Sequence, residues 1–462
     1  MTPACDEAES GKACPASDAA ELIIRPQPGA WRAAVSSFAT NTQKSEFRRQ
    51  LGLPHDRPVI MSGHQAQIWH PGILAKLLAM DAAARATVAT PAWVVVDHDE
   101  NEPLRIRAPF IDSQGRLAAA EFGPAKRDNG TPACREPAWT PSVDWSLPAG
   151  SQSAAPGVHA GLARVRAALL RHAGAPNAAS QAAAAAFDLA RDLAPPPALV
   201  PATSLARTTL FAHLVARMRE DPRACAESHN AAVRAFPSER IAPLTVDGDT
   251  VELPLWTLGP AMGSPRRKVH SAQLASLPID SLAPRALLLT GLMRLAGCEL
   301  FIHGLGGERY DRITEVWLEN WLGQRLAPTA MATATMHLRV PGCWPSEQSI
   351  AHASWTAHHA RHDPSLLGDT GRARRKSDLI EQIRQAPRKS RERLELYRSL
   401  HSLLRESHAE HAPTLSSLDR DAAAMQVRSS EAAIASDRTW AFPLFEPDQL
   451  AALRASIHAH FA

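Results

Sequence analysis

Two carboxylates flank a histidine at Asp97-His98-Asp99, directly after an apolar run that ends at Val96. Carboxylates on either side of an imidazole can orient and charge it, hold a metal ion, or position an amine. Ligands of open α/β sheets bind beyond the carboxyl ends of the strands, where this cluster is expected to lie. We therefore predict Asp97, His98 and Asp99 to be catalytic; the alternative is a solvated loop after a strand.

A second polar turn contains Gly63, His64 and Gln65, and His70 opens the helix that follows. Glycine lets backbone amides approach a ligand closely, and the start of a helix directs its positive end toward that ligand. His64 could act as an acid, a base or a phosphate contact, so we predict it to be catalytic and the other three to bind substrate. In the alternative, His64 and His70 only cap the helix. The glycine spacing is not GxGxxG, so a dinucleotide fingerprint is not supported.

A third turn combines histidine and glycines at the start of another predicted helix. Glycines in this position suit a cradle for an anion or a carboxylate, although a plain tight turn also uses them. The residues of this turn that we predict to bind substrate are His303, Gly304, Gly306, Gly307, Glu308 and Tyr310.

Alternating apolar runs predict the elements that hold these turns. Val59–Met61 and Trp93–Val96 are short apolar runs typical of buried strands, and Ile73–Met80 between them has a helical pattern. Leu300–Ile302 and the helical segment Ile313–Leu322 repeat the strand, turn and helix order. We predict an α/β fold in which both units share one sheet, so the polar turns meet at one edge.

Composition and periodicity predict the remaining segments. Asp247-Gly248-Asp249 predicts a hairpin, 438–445 a strand, and 447–461 a terminal helix. The predicted organisation is a disordered tail (1–20), a core in two parts (21–125 and 237–364), a linker and helical insert (126–236), a helical hairpin or coiled-coil arm (365–436) and a C-terminal return to the core (437–462).

Composition bounds the class of protein. The chain has 462 residues, a net charge of +3, 45% hydrophobic and 21% charged residues, and six cysteines without CxxC spacing. These values indicate a globular protein of a reducing cytoplasm, with no zinc ribbon, no membrane span and no strong nucleic-acid signature. The histidines between His352 and His362 match no common metal spacing. The basic run 372–393 lacks interleaved aromatic residues, which favours a solvated helix face over the alternative of RNA binding.

The order of these landmarks resembles the family of cysteine-adding enzymes of bacillithiol biosynthesis, of which the chain would be a divergent member. The segment 97–99 is similar to the family's Asp-His-Asp segment after an apolar strand. The turn at Gly63, where His64 replaces a glutamine, is similar to the family's Gly-Gln-Gln turn. Lys76 is similar to a lysine of the helix that follows, which implies that it binds substrate.

Later landmarks extend the resemblance, which implies a fold and an activity. The turn 304–310 is similar to a late glycine-rich turn with a glutamate and an aromatic residue, and 438–442 is similar to the family's C-terminal end. The resemblance implies a Rossmann-like parallel sheet core with a helical insert, and a C-terminal coiled-coil arm that forms a homodimer. The implied activity is a ligase of low-molecular-weight thiol synthesis. It would join a small amino acid such as cysteine to the amine of an amino-sugar conjugate such as glucosaminyl-malate.

The carboxyl donor and its activation stay open. Amide formation in water needs an activated carboxyl, so ATP or another activated donor is required, and the sequence contains no GxxxxGK[ST] motif that would identify a nucleotide site. The alternative function is a non-catalytic protein that retains the same fold to bind or sense a metabolite, since a fold does not determine a function.

Overall fold

The structure is a computed structural model that describes residues 12–13, 20–125, 130–141, 145–342 and 344–462, without the side chains at 12, 13, 308, 309, 344, 345 and 347. Nearly all of the predicted disordered tail lies outside the described residues. The chain divides into two units. The larger comprises Ser17–Ser113, Ala119–Leu338 and Arg438–Ala462, and the smaller is built mainly from Arg339–Asp437.

Strands and helices alternate along most of the described chain. The strands are β1 (Lys12–Ala13), β2 (Glu21–Arg25), β3 (Val59–Gln65), β4 (Thr90–Val96), β5 (Ile106–Ile111), β6 (Leu117–Phe122), β7 (Gln152–Ser153), β8 (Ala198–Pro201), β9 (Val246–Asp247), β10 (Thr250–Leu258), β11 (Arg266–His270), β12 (Leu282–Pro284), β13 (Leu300–His303), β14 (Thr329–Thr335) and β15 (Trp344–Pro345). The helices are α1 (Pro28–Ser36), α2 (Thr42–Gln50), α3 (Pro71–Thr87), α4 (Pro156–Arg171), α5 (Ala178–Ala190), α6 (Thr209–Glu220), α7 (Pro222–Ala235), α8 (Ser271–Leu274), α9 (Ala286–Leu292), α10 (Leu305–Leu322), α11 (Glu347–Ala360), α12 (Thr370–Gln385), α13 (Arg391–Glu410), α14 (Ala412–Ala435) and α15 (Pro447–Phe461).

The main sheet of the larger unit has the strand order β2-β14-β13-β3-β4-β8. All neighbours pair in parallel except β2, which is antiparallel to β14 at one edge. Along the chain, the sheet grows from β3 through β4 to β8 and then returns to the other side of β3 with β13 and β14. The direction of growth therefore reverses between β3 and β13, and α/β sheets open their ligand crevice at such a reversal. The prediction that Leu300–Ile302 joins the same sheet as Val59–Met61 is confirmed.

Both faces of this sheet are covered. Val59, Met61, Ala92 and Val94 project into a hydrophobic cluster that also contains side chains of α6, α7, α9 and α10. Helix α3 packs against β3, β4, β13 and β14 and against α1 and α15. Its residues from Pro71 to Ala84 are all buried. A helix that is apolar on nearly every side is stable only inside a protein, so α3 is a rigid support for the turn that precedes it.

Three strands of the main sheet are missing from the sequence prediction, namely β2, β8 and β14. The segment 126–236, interpreted as a linker and helical insert, supplies helices α4 to α7 but also the edge strand β8. Four residues are too few to show a period, and the prolines before them favoured a loop. The predicted hairpin around Gly248 is confirmed by the antiparallel pairing of β9 with β10, and the predicted terminal helix is confirmed as α15.

The strand predicted over 438–445 is wrong. Phe442–Leu444 forms a single turn of 3-10 helix instead, and Phe442, Leu444 and Phe445 are buried. Pro443 has no backbone N–H to donate to a neighbouring strand, which disfavours a place within a sheet. Helix α4 approaches this turn closely: a Cβ atom at Gly161 would lie 2.3 Å from the Pro443 carbonyl oxygen, so only glycine fits there.

The described residues of the smaller unit are mainly helical, with the short antiparallel pair β1 and β15 and the first residues of β6. Helix α11 packs against α14, and α12 packs against α13. Pro387 lies in the break between α12 and α13, and Pro413 lies in the first turn of α14, where its missing N–H has no helical partner to lose. The described residues of 365–436 therefore form three main helices rather than one hairpin of two.

A buried ion pair joins the amino ends of β3 and β13. The Glu299 carboxylate accepts a hydrogen bond from the Val59 amide at 2.8 Å and lies 2.6 Å from the Arg48 guanidinium. The Arg48 and Glu299 side chains are only 1% and 4% exposed. A buried charge that loses its partner is strongly destabilising, so this pair constrains where the two central strands start.

We predict that Glu299→Gln lowers the free energy of unfolding by about 3 kcal/mol, because Arg48 would keep a buried charge without its carboxylate. Urea denaturation followed by tryptophan fluorescence measures the change. Glu319→Gln is the matched control, since the Arg325–Glu319 pair is 3.7 Å apart with side chains 93% and 58% exposed. It should change stability by less than about 0.5 kcal/mol. Equal effects of the two substitutions would contradict the anchoring role of Glu299.

Candidate functional site

A cavity of about 670 Å³ lies at the carboxyl ends of β3, β4 and β13, where the growth of the sheet reverses. We call it the switch-point cavity. Residues at the amino ends of α3, α9 and α10 complete its lining. Every predicted site residue lines it except Asp97, and except Glu308, whose side chain lies outside the described residues. Turns that are far apart in the sequence thus meet at one edge of the sheet.

Asp99 is held in the cavity wall by two partners. Its carboxylate lies 2.7 Å from Arg266 Nη1 and accepts a hydrogen bond from Gln65 Nε2 at 3.1 Å. Burial acts to raise the pKa of Asp99, but the Arg266 charge and the Gln65 hydrogen bond outweigh it, so the pKa lies below its ordinary value. The Asp99 side chain is still 33% exposed. Asp99 is therefore an anion at neutral pH that a ligand can reach.

Two arginines that sequence reasoning missed stack on a tryptophan in the same wall. The guanidinium carbons of Arg266 and Arg285 lie 4.3 and 4.9 Å from the Trp256 ring centroid. Behind them, Glu252 forms an ion pair with Arg285. These residues come from β10, β11 and the turn before α9, so no local pattern relates them to Asp99. Arg438 also lines the cavity, and its side chain is exposed.

Asp97 and His98 are committed to bonds within the protein. The Asp97 carboxylate accepts hydrogen bonds from the backbone amide of Thr203, at 3.0 Å, and from the Thr203 hydroxyl. It ties the end of β4 to the segment after β8 and does not line the cavity. His98 is 2% exposed and donates from Nε2 to the Pro284 carbonyl at 2.9 Å. Its Nδ1 lies 3.7 Å from Asp97. The geometry assigns both residues to positioning rather than to catalysis.

Lys76 is a buried lysine on the cavity floor. Its side chain donates to the Gly63 carbonyl at 2.5 Å and lies 5.2 Å from the centre of the Trp93 ring, with the residue only 4% exposed. No carboxylate of the described chain forms an ion pair with it. Burial lowers the pKa of Lys76 from 10.5 to about 7. A bound anion would supply the missing partner, which makes Lys76 a candidate contact for a negatively charged ligand.

His64 and His70 differ in what their rings can do. His64 donates from Nδ1 to the Gln65 carbonyl at 3.3 Å, which leaves Nε2 as an acceptor. Burial and the nearby charge of Lys76 lower the pKa of His64 well below its ordinary value, so the ring is neutral at pH 7. His70 Nδ1 accepts a hydrogen bond from the Gly72 amide at 3.1 Å, the capping role weighed as the alternative for this residue.

Two close contacts of the site leave no room for a side chain and require glycine. Gly63 lies opposite Val94 in the register of β3 with β4, and a Cβ atom there would lie 2.7 Å from the Val94 carbonyl oxygen. At Gly307, a Cβ atom would lie 2.3 Å from His303 Nδ1. Gly304 caps the start of α10, and Gly306 and Tyr310 lie in its first turns, with Tyr310 39% exposed. The positive end of α10 therefore faces the cavity, where it favours anions.

We predict that Lys76→Met stabilises the protein in a pH-dependent way. The unfolded lysine keeps its ordinary pKa, so the unfolded state binds more protons than the native state between pH 7 and 10.5. The stability of the native protein therefore rises with pH in that window, and the stabilising effect of methionine shrinks. From pH 6 to pH 9 the difference in unfolding free energy should fall by about 3 kcal/mol.

Urea denaturation of both proteins at the two pH values measures this difference. Lys44→Met, outside the cavity on α2, is the control, and its effect should vary by less than about 1 kcal/mol over the same range. A Lys76→Met effect that is equal at pH 6 and pH 9 would show that the Lys76 charge is already compensated.

Within the described ranges, no group of three or more His, Cys, Asp or Glu side chains is arranged to hold a metal ion, and no helix has the length and apolar composition of a membrane span. A second cavity of about 540 Å³ is lined by the segment 100–102 and by Trp440, among others.

No family model matches the chain, and no curated protein matches it significantly.

Proposed function

We propose that the switch-point cavity is the active site of an amide-forming ligase resembling the cysteine-adding enzymes of bacillithiol biosynthesis. The substrates are a small amino acid such as cysteine and the amine of an amino-sugar conjugate such as glucosaminyl-malate. The carboxyl donor is activated by ATP or by another activating group before the amide forms.

The observation that carries this proposal is that an accessible carboxylate and several positively charged side chains line the same cavity. Asp99 is ionised and reachable, which suits the ammonium group that an amine substrate brings. Lys76, Arg285 and Arg438 line the same cavity and suit carboxylates at the other end of a ligand. A small zwitterion or an amine that carries carboxylates satisfies both sets of charges, whereas a purely apolar ligand would leave them without partners.

The reaction needs an uncharged amine. A proton leaves the bound ammonium, and the freed electron pair attacks the activated carboxyl carbon. The activating group then departs with the bonding pair, and a second proton passes from the nitrogen to water as the neutral amide forms. Asp99 orients the ammonium before this step, and the amino end of α10 with Lys76 stabilises negative charge that develops on the carboxyl oxygen. Gly63 and Gly304 keep the backbone close enough to contact the ligand.

The strand order supports a Rossmann-like description of the core. When the five parallel strands β3, β4, β8, β13 and β14 are numbered 1 to 5 along the chain, their order across the sheet is 3-2-1-4-5. Doubly wound nucleotide-binding folds have this order. The first turn lacks the GxGxxG spacing of those folds, so we propose a shared architecture with a different ligand.

We also propose that the helices of the smaller unit act as a coiled-coil arm in a homodimer. Leu394 and Tyr397 on α13 are 52% and 40% exposed, and Val427 on α14 is 69% exposed, so these helices offer apolar surface to a second copy of the chain. We predict that the double substitution Leu394→Glu and Tyr397→Glu converts a dimer to a monomer in light scattering. A wild-type monomer at micromolar concentration would refute the proposal.

The second candidate is a non-catalytic protein that binds or senses a metabolite. The commitment of Asp97 and His98 to Thr203 and Pro284 favours it, because two of the four residues predicted to be catalytic are unavailable to a ligand. The two candidates share the cavity and differ only in whether bound ligands react.

A thermal-shift screen of the purified protein tests both candidates. The ligands are cysteine, other amino acids, glucosaminyl-malate and adenine nucleotides, alone and in pairs. A ligand at 100 times its dissociation constant adds about 2.7 kcal/mol to the native state, which a melting curve resolves. Stabilisation by an amino-sugar conjugate, with amide product detected by mass spectrometry, supports the ligase. Stabilisation without product supports the sensor, and no response to any of these ligands rejects both.

We predict that Asp99→Asn weakens the binding of the amine substrate at least 10-fold, because the ammonium loses its charged partner. The shift in melting temperature and the KM for the amine measure the loss. Glu100→Gln is the matched control, since Glu100 also pairs with Arg266, at 2.7 Å, but does not line the switch-point cavity. Its effect on amine binding should stay within about 3-fold. Equal losses in both variants would mean that Asp99 acts only by holding Arg266.

A further inference from the structure

His303 lies at the end of β13 and has no role in the reaction described above. The residue is 6% exposed and lines the switch-point cavity. Its Nε2 forms an ion pair with the Asp311 carboxylate, and Asp311 lies 3.0 Å from Arg294 Nη1. Asp311 and Arg294 are themselves 3% and 1% exposed. Asp311 is thus a buried anion that contacts both the Arg294 guanidinium and the His303 imidazole.

Nε2 and Asp311 Oδ2 are in ion-pair contact but are not aligned as a hydrogen bond. A carboxylate oxygen presents only lone pairs, so hydrogen on Nε2 avoids a repulsive contact between two acceptors, and a neutral imidazole then has its lone pair on Nδ1. Among the described residues, no group forms a hydrogen bond with Nδ1. The ring edge that carries Nδ1 faces Gly307, where any side chain would collide with it. The acceptor nitrogen is therefore left open beside the first turn of α10.

Other imidazoles of the cavity are less suited to accept a proton. His98 Nε2 is bound to the Pro284 carbonyl, and its Nδ1 is buried beside Asp97. His64 has an open Nε2, but its lowered pKa makes it a weak base at neutral pH. A base whose second nitrogen is held by a buried carboxylate is the arrangement that activates substrates in many hydrolases and transferases. Only His303 has it here among the described residues.

We propose that His303, oriented by Asp311, is the catalytic base of the switch-point cavity. This inference rests on the proposed function and names the group that it requires. Nδ1 accepts one proton from the ammonium of the bound amine, which leaves a neutral amine with a free electron pair and an imidazolium ring. Asp311 faces the Nε2 side of that imidazolium and stabilises its charge, so Asp311 is a positioning residue. The amine then attacks the activated carboxyl carbon, the activating group departs with the bonding electron pair, and a second proton passes from the nitrogen to water as the amide forms.

The first measurement is independent of any substrate. Protein labelled with ¹⁵N-histidine is compared with His303→Gln to assign the His303 ring, and with Asp311→Asn. We expect the neutral ring at pH 8 to be the Nε2–H tautomer, and the preference to weaken in Asp311→Asn because an amide holds the ring less strongly. An Nδ1–H tautomer, or a ring that stays doubly protonated at pH 8, would overturn the proposal because Nδ1 could not accept a proton.

The second measurement uses turnover of the amino-sugar conjugate. His303→Gln should lower kcat by about 10²-fold to 10⁴-fold with KM for the amine changed less than about 3-fold, the effect of losing a base rather than a binding contact. His55→Gln, an exposed histidine outside the cavity, is the control and should retain wild-type kcat. Melting temperatures identify a variant that fails to fold, in which case Asp311→Asn replaces it.

The two measurements separate this inference from the proposed function. If the wild-type protein turns over and His303→Gln stays within twofold of it, the base assignment is rejected while the ligase stands. If the wild-type protein turns over no amine with any donor, the ligase is rejected, and the tautomer measurement alone decides whether His303 is an open proton acceptor.

Discussion

The parallel pairing of β13 with β3 is the contact on which the candidate site depends. Parallel neighbours end at the same edge of a sheet, so the turns after these two strands lie side by side although about 240 residues separate them, as in the pairing of Ile302 with Ser62. Glu299 fixes where both strands begin, and their lengths then determine where both turns open. The positions of His64 and His303 relative to each other therefore depend on the Glu299 contacts at the amino ends of these two strands.

Charge is distributed in this cavity so that most groups are already neutralised by the protein. Arg285 faces Glu252, Asp311 faces Arg294, and Asp99 faces Arg266. Lys76 is the buried exception within the described chain, because its contacts are a carbonyl oxygen and an aromatic face. A charge without a partner is costly in a low-dielectric site. A bound ligand would therefore stabilise the site most through an anionic group at Lys76, rather than through a group at the acidic turn after β4.

Sequence patterns located the edge of the sheet but not the whole wall of the cavity. Apolar runs followed by polar turns identified Asp99, His64 and His303, because strand ends and glycine turns leave a local signature. Arg266 and Arg285 carry no such signature, since Arg266 reaches Asp99 from a separate hairpin and Arg285 lines the cavity from the turn before α9. Asp97 and Asp99 look alike in the sequence, and only the fold shows that one is bound to Thr203 and the other is open to the cavity. Four-residue β8 was too short for its period to be detected.

Arg266 connects two compartments of the larger unit. It binds Asp99, on the wall of the switch-point cavity, and Glu100, on the wall of the neighbouring cavity, with one guanidinium group. One guanidinium group thus pairs with a carboxylate from each cavity, and any coupling free energy that it carries between them is reciprocal.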